Sequence, residues 1–159
     1  MNVLKSLDEL KRIRKKLKDE GKKVVFTNGC FDLIHAGHVD YLLKAKSLGD
    51  ILIVGLNTDE SVKRIKGERR PILKQKERAF IISNLKPVDF VVLFNQDTPR
   101  EIISELIPDI LVKGADWSID KIVGADVVTE NGGTVKTIEF VNEQSTSKII
   151  EEIISKYKN

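Results

Sequence analysis

Residues 23–38 read KVVFTNGCFDLIHAGH. Val24, Val25 and Phe26 form a short continuous apolar run, the pattern of a strand buried on both faces of a parallel sheet. The run breaks at Thr27-Asn28-Gly29, a turn signal in which Gly29 is expected to take backbone angles that other residues resist. Cys30, Phe31 and Asp32 continue the turn, and His35-Ala36-Gly37-His38 opens a helical pattern through Val39, Leu42, Leu43 and Leu48. A buried strand, a glycine turn and a helix start together make an anion site. Free backbone N–H groups and the positive end of the helix dipole point at whatever sits above the strand.

His35 and His38 sharpen that expectation. Residues three apart on a helix share a face, so both imidazoles can address one ligand, and Gly37 between them allows close approach. A metal is the competing reading of a His pair. A first-row site wants three or four ligands, and the chain offers one Cys and no further His, so no metal site is expected. The other reading takes His38 as an ordinary polar residue at a helix start.

Length and composition limit the classes to consider. At 159 residues the chain reads as one domain over 1–159, large enough for a core without disulfide or metal staples. A net charge of +3 gives no bulk electrostatic argument for nucleic acid. The single Cys fits a reducing compartment, and no run reaches membrane-span length, so a cytoplasmic protein without a membrane role is expected.

Around the central stretch, Ser6-Leu7-Asp8-Glu9 fits a capping box opening an N-terminal helix, with Leu7, Leu10, Ile13 and Leu17 on one stripe. Its opposite face, with Lys11, Arg12, Lys15, Lys16 and Lys18, reads as solvated surface. Residues 51–56 give a second buried strand, and Asn57-Thr58-Asp59-Glu60 follows at its end, where open α/β sheets bind ligands. Lys63, Arg64, Lys66, Arg69 and Arg70 then put five cations into eight residues around Gly67. This suits a mobile loop closing on phosphates, with a solvated charge run as the plain alternative.

Residues 75–85 read as a helix with Ala79, Phe80, Ile82 and Leu85 apolar, and 89–94 as a third strand. Thr98-Pro99-Arg100-Glu101 reads as an N-cap, a proline at the first position and a capping glutamate. Residues 109–112 make a fourth strand before Lys113-Gly114-Ala115-Asp116-Trp117, and 134–140 a fifth. Ser145-Thr146-Ser147-Lys148 opens a last helix whose apolar face is Ile149, Ile150, Ile153 and Ile154. Hydroxyls there can be simple caps, or can donate to phosphate with Lys148 adding charge. Five strands alternating with helices argue a Rossmann-like, doubly wound parallel sheet in the order 3-2-1-4-5, with an extra N-terminal helix.

NGCFDLIHAGH resembles the signature of the H-x-G-H nucleotidyltransferases, which include the cytidylyltransferases and the class I tRNA synthetases. The register of FTNGCFD, HAGH, KRIKG…RP, VDFVV, DTP, DILVKGAD, ENGG and STSKII is similar to the adenylyltransferase half of the bifunctional ADP-heptose synthases. The resemblance implies transfer of AMP from ATP to a sugar 1-phosphate, D-glycero-D-manno-heptose 1-phosphate above others, with Mg²⁺ bound through the ATP phosphates. It implies catalytic roles for His35, His38 and Lys66. It implies nucleotide contacts from Asn28, Gly29, Cys30, Phe31, Gly37, Gly114, Asp116, Ser145, Thr146, Ser147 and Lys148, besides the two histidines. Acceptor contacts are implied for Asp32, Asn57, Asp59, Arg64, Lys66 and Arg78. A homodimer is compatible with it. The kinase half of those synthases has no counterpart in this sequence, which implies a separate heptose phosphate kinase as pathway partner.

Two other readings stay open. A cytidylyltransferase acting on glycerol 3-phosphate would share most motifs, but enzymes of that kind resembling this chain carry an Arg just before the Ser/Thr cluster, where 141–144 here read VNEQ. A nucleotide-binding regulatory module would keep the glycine turns and need neither histidine.

Overall fold

In the computed structural model, which describes residues 3–115, 118–139 and 145–158, six parallel strands form one sheet. The strands are β1 (Leu4–Lys5), β2 (Val24–Gly29), β3 (Ile51–Asn57), β4 (Phe90–Phe94), β5 (Ile110–Gly114) and β6 (Thr134–Ile138), in the order β1-β4-β3-β2-β5-β6. The five strands read from the sequence hold their expected 3-2-1-4-5 order. The sixth, β1, pairs with β4 through two residues, Leu4 with Val91 and Lys5 with Val92. A two-residue strand is too short to carry a period-two signal.

β2 occupies the middle because its side chains are apolar on both faces. Val24 and Phe26 point into one layer with Leu10, Ile53, Ile103 and Leu111, while Val25 points into the other with Leu42, Leu52, Val54 and Ile82. The first layer is covered by α1 (Leu7–Asp19), α5 (Arg100–Leu106) and α6 (Ala125–Glu130), the second by α2 (Ala36–Lys46) and α4 (Gln75–Ser83). The fully buried polar side chain of β2, Thr27, bonds the Tyr41 hydroxyl at 2.8 Å, so its burial leaves no orphan. Carboxylates take the strands' leading N–H groups: Asp109 accepts from Val24 and Asp89 from Leu52.

Several expectations change. Phe80 is 72% exposed on the outer side of α4, and Leu43 faces out of α2. In the last helix, α7 (Thr146–Tyr157), Ile153 and Ile154 are about half exposed, so only Ile149 and Ile150 are partly covered. The expected strand residue Phe140 lies outside the described residues. The basic run is half helix: Lys63, Arg64 and Lys66 belong to α3 (Asp59–Lys66), and the chain leaves it at Gly67, whose φ of 96° suits glycine. No helix among the described residues is long and apolar enough to cross a membrane.

Ser6 and Glu9 form the expected capping box of α1. Its buried cation Arg14 was not legible from the stripe. The guanidinium donates to the carbonyls of Leu106 and Ile107 and pairs with Asp109 at 2.9 Å, tying α1 to the end of α5 and, through Asp109, to the start of β2. Ile107 is left-handed (φ 43°), an unfavourable state for a β-branched residue, and its carbonyl is held there by Arg14. Arg14→Met should therefore destabilise the fold by about 2 kcal/mol or more in urea unfolding, whereas Lys15→Ala on the exposed face should stay within about 0.5 kcal/mol. A near-neutral Arg14→Met would show that the tie is dispensable.

Candidate active site

The C-terminal ends of β2, β3 and β5 open into a cleft of about 550 Å³, the position expected for a ligand in an open parallel sheet. Its floor is the turn after β2. Gly29 is extended and still part of the strand, so the left-handed residue is Phe31 (φ 45°) rather than the glycine. Such a conformation costs a non-glycine residue about 1 kcal/mol or more, a strain that structures keep where it serves a site. Gly29 is needed for proximity instead: a Cβ there would lie 3.0 Å from the Phe31 ring. Phe31 in turn packs tilted against His38, with ring centroids 5.3 Å apart.

His35 is the N-cap of α2 and His38 sits in its first turn, and the two imidazoles stack at 3.8 Å between centroids. His38 lines the cleft. The buried Nδ1 atoms of both rings and the Asn28 Oδ1 have no partner among the described residues. Burial, and then the neighbouring His35, push the His38 pKa down to about 4, against a smaller opposing effect of the Leu33 carbonyl. Burial lowers His35 as well. Both rings are therefore neutral near pH 7; His38 stands on the cavity wall, and His35, stacked on it, does not itself line the cavity. That is a pair able to donate to, or take a proton from, an anion that arrives there.

The turn's remaining residues divide between wall and support. Asn28, Gly29, Cys30, Phe31 and Asp32 all border the cleft. Burial raises the Cys30 pKa despite Lys66, Arg78 and Arg70 nearby, which keeps the thiol protonated. Asp32 is 1% exposed, and its carboxylate accepts from Arg70 Nε at 2.7 Å and from the Ile72 and Leu73 N–H groups at 2.9 Å. Burial alone would raise its pKa, but those donors outweigh it and hold the carboxyl below its ordinary value.

Of the expected acceptor contacts, Asn57 and Lys66 line the cleft, while Arg78, Asp59 and Arg64 do not. Arg78 is completely buried, and its guanidinium donates to the carbonyls of Leu73, Cys30 and Asn57 and to the Asp59 carboxylate. The side chain is thus closed off from the cleft and ties together the segments beneath its floor. Asp59 is turned toward Arg78 for the same reason. Arg64 lies on the surface against Asp97 and the Asn95 carbonyl.

On the other side of β2, Ser145, Thr146 and Ser147 line the cleft at the start of α7. Ser145 caps the helix by accepting from the Lys148 N–H, and the same helix start faces the cavity. Lys148, Gly37 and Gly114 are not on the wall; Gly37 is buried in the first turn of α2 and Gly114 ends β5 opposite Ile138. Asp116 and Trp117 lie outside the described residues.

Residues missed as candidates complete the wall: Ile65, Arg70, Asp97, Thr98, Pro99, Lys113, Ile122 and Val123. Thr98, expected as a helix cap, is not one: α5 starts at Arg100 after Pro99 with no side-chain cap, leaving Thr98 on the cleft. Lys113 could have been found from its place at the C-terminal end of a buried strand.

A family model described as Cytidylyltransferase-like matches residues 26–152. The chain is 57% identical over 154 residues to the Bifunctional protein HldE of Citrifermentans bemidjiense, covering 97% of this chain and 32% of that protein. The HldE of Geobacter sulfurreducens is 51% identical over 154 residues, covering 97% and 31%. The chain thus spans about a third of the length of these curated relatives. Among solved structures, a lipopolysaccharide core biosynthesis protein from Thermoplasma volcanium superposes with a TM-score of 0.61 at 33% identity, over 78% of this chain and all of that one. A pantoate-beta-alanine ligase from Francisella tularensis, at 12% identity and TM-score 0.61 over 92% and 69%, shares the fold. A match that runs from the central strand into the last helix, across the strand ends that build the cleft, means that the chain belongs to the cytidylyltransferase-like family of nucleotidyltransferases.

Proposed function

We propose that this chain is an adenylyltransferase that moves AMP from ATP to a sugar 1-phosphate, D-glycero-D-manno-heptose 1-phosphate, giving ADP-heptose and pyrophosphate. The observation that carries the transfer is His38 on the wall of a cleft between a basic side and a Ser/Thr helix start, with His35 stacked on it and both Nδ1 atoms unpartnered among the described residues. The donor and acceptor are supported by the full-length register with the adenylyltransferase half of ADP-heptose synthases and by the high identity to the HldE proteins.

The reaction asks little covalent chemistry of the protein. A phosphate oxygen of the sugar phosphate attacks the α-phosphorus in line, the new O–P bond forms as the α–β bridge breaks, and the electron pair leaves with pyrophosphate. The nucleophile is already an anion, so no general base is needed and catalysis is positioning plus charge stabilisation. Ser145, Thr146 and Ser147 would hold the triphosphate from the β5–β6 side, the histidines would meet it above β2, and Lys66 would neutralise charge from the β3 side. Among the described residues no group of three or more Asp, Glu, His or Cys could cage a metal. The two carboxylates on the wall are engaged, Asp32 with Arg70 and loop amides and Asp97 with Arg64. Mg²⁺ would enter on the substrate phosphates, which suits an ion that keeps several waters.

Pyrophosphate release should be highest for ATP with heptose 1-phosphate in a panel that also pairs ATP and CTP with mannose 1-phosphate and glycerol 3-phosphate. In that assay His38→Asn or His35→Asn should lower turnover by ~10²-fold or more, equivalent to about 2.7 kcal/mol of transition-state stabilisation. CTP with glycerol 3-phosphate giving the highest kcat/KM would replace the heptose reading, and nucleotide binding without turnover would make the chain a regulatory module.

The His pair also makes binding pH-dependent. In the free protein His38 stays neutral down to about pH 4. A polyanion beside it favours the charged form and raises its pKa, so between the free and bound values binding takes up a proton. ATP affinity should therefore strengthen as pH falls from about 7.5 toward 5.5, with proton uptake in calorimetric titrations run in two buffers of different ionisation enthalpy. His38→Asn should remove that uptake. Buffer-independent heats in the wild type would show that the imidazoles do not face the phosphates.

A further inference from the structure

We propose that Arg70 is the ligand that seats the acceptor's phosphate, and that Asp32 is the positioning residue that aims it. This rests on the adenylyltransferase reading of the cleft and names the group that defines its acceptor end. Arg70 stands on the cleft wall with its side chain 16% exposed. Its Nε donates to Asp32 at 2.7 Å, and neither Nη nitrogen has a protein acceptor among the described residues. The anchored Nε leaves the terminal fork open, the geometry that takes two oxygens of a phosphate.

The neighbouring arginines do not offer this. Arg64 is turned to Asp97 on the surface, Arg78 is sealed beneath the floor, and Arg69 is exposed off the wall. Lys66 shares the wall but presents a point charge on an exposed, flexible stem. The strand order sets which substrate end this is. The 67–73 segment follows α3 on the β3 side of β2, whereas the Ser145 cluster follows β6 on the other side, with the His pair between them.

Asp32 does not touch a ligand itself, since its side chain is wholly buried. It fixes Arg70 from one oxygen and gathers the Ile72 and Leu73 N–H groups with the carboxylate, so the segment that carries the fork is locked to the turn that carries the floor. An arginine held this way loses little side-chain freedom on binding. A lone carboxylate near a phosphate would repel it; this one is matched by three donors, Arg70 Nε and the Ile72 and Leu73 N–H groups.

The test separates the two phosphate positions. Protein saturated with α,β-methylene-ATP is titrated with inorganic phosphate, and the analogue's own affinity is measured separately, in wild type, Arg70→Gln and Asp32→Asn. Both variants should weaken phosphate by roughly tenfold or more and leave the analogue within about twofold, the split expected when one bidentate site is lost. Arg70→Gln with unchanged phosphate affinity, or with an equal loss for the analogue, overturns the assignment. Asp32→Asn binding phosphate like wild type overturns the aiming role, and if that variant does not fold, Arg70→Gln decides alone. Failure of the heptose reading shows separately, as wild type that does not turn over heptose 1-phosphate while the phosphate titration stands.

Discussion

A guanidinium with no access to water must find acceptors for its donors, and Arg78 finds them on three separate pieces of chain. Its donors reach the carbonyls of Cys30 after β2, Asn57 at the end of β3 and Leu73 after the basic segment, and the carboxylate of Asp59 at the start of α3. Removing one such partner leaves a buried charge uncompensated, which costs several kcal/mol, so these segments cannot drift apart independently. Asp32 adds a second tie, of opposite sign, between the same turn and residues 70–73. The cleft is therefore bounded by loops, yet its floor and basic wall are fixed by two buried charges of the protein's own.

That arrangement explains how a small parallel sheet can set cations from several elements around one cleft. The cations that face the cleft, Lys66, Arg70 and Lys113, come from different elements, and the neutral His pair sits between them. Charge is thus distributed around the cavity rather than stacked in one place. Neutral imidazoles avoid placing two cations 3.8 Å apart before a ligand arrives. The strain at Phe31 belongs to the same design, because its left-handed backbone puts the ring against His38 while the chain continues into buried Asp32.

Much of this was legible in the sequence where local pattern and tertiary environment agree. The continuous run at Val24–Phe26, the glycine turn and the H-x-G-H helix start pointed to the central strand and to the strand end where the cleft opens, because a strand buried on both faces needs no partner to reveal itself. What stayed hidden depends on contacts distant in sequence. Arg14 and Arg78 look like surface cations in any helical projection; only acceptors 92 and 21 residues away make them interior. Asp32 reads as a ligand contact and Arg70 as one cation of a basic run, but their 38-residue separation conceals that they bind each other. Phe80, Ile153 and Ile154 show the converse: an apolar stripe predicts a helix correctly and still does not say that every member is covered.

The central claim is that this cleft transfers a nucleotidyl group, and the fate of the phosphorus atoms tests it most directly. Heptose 1-phosphate is incubated with ATP labelled with ³²P at the α or at the γ position, and the products are separated. Attack at the α-phosphorus puts the α label into the sugar nucleotide and the γ label into pyrophosphate. A γ label recovered on the sugar, or as free inorganic phosphate without a labelled sugar nucleotide, would contradict the account.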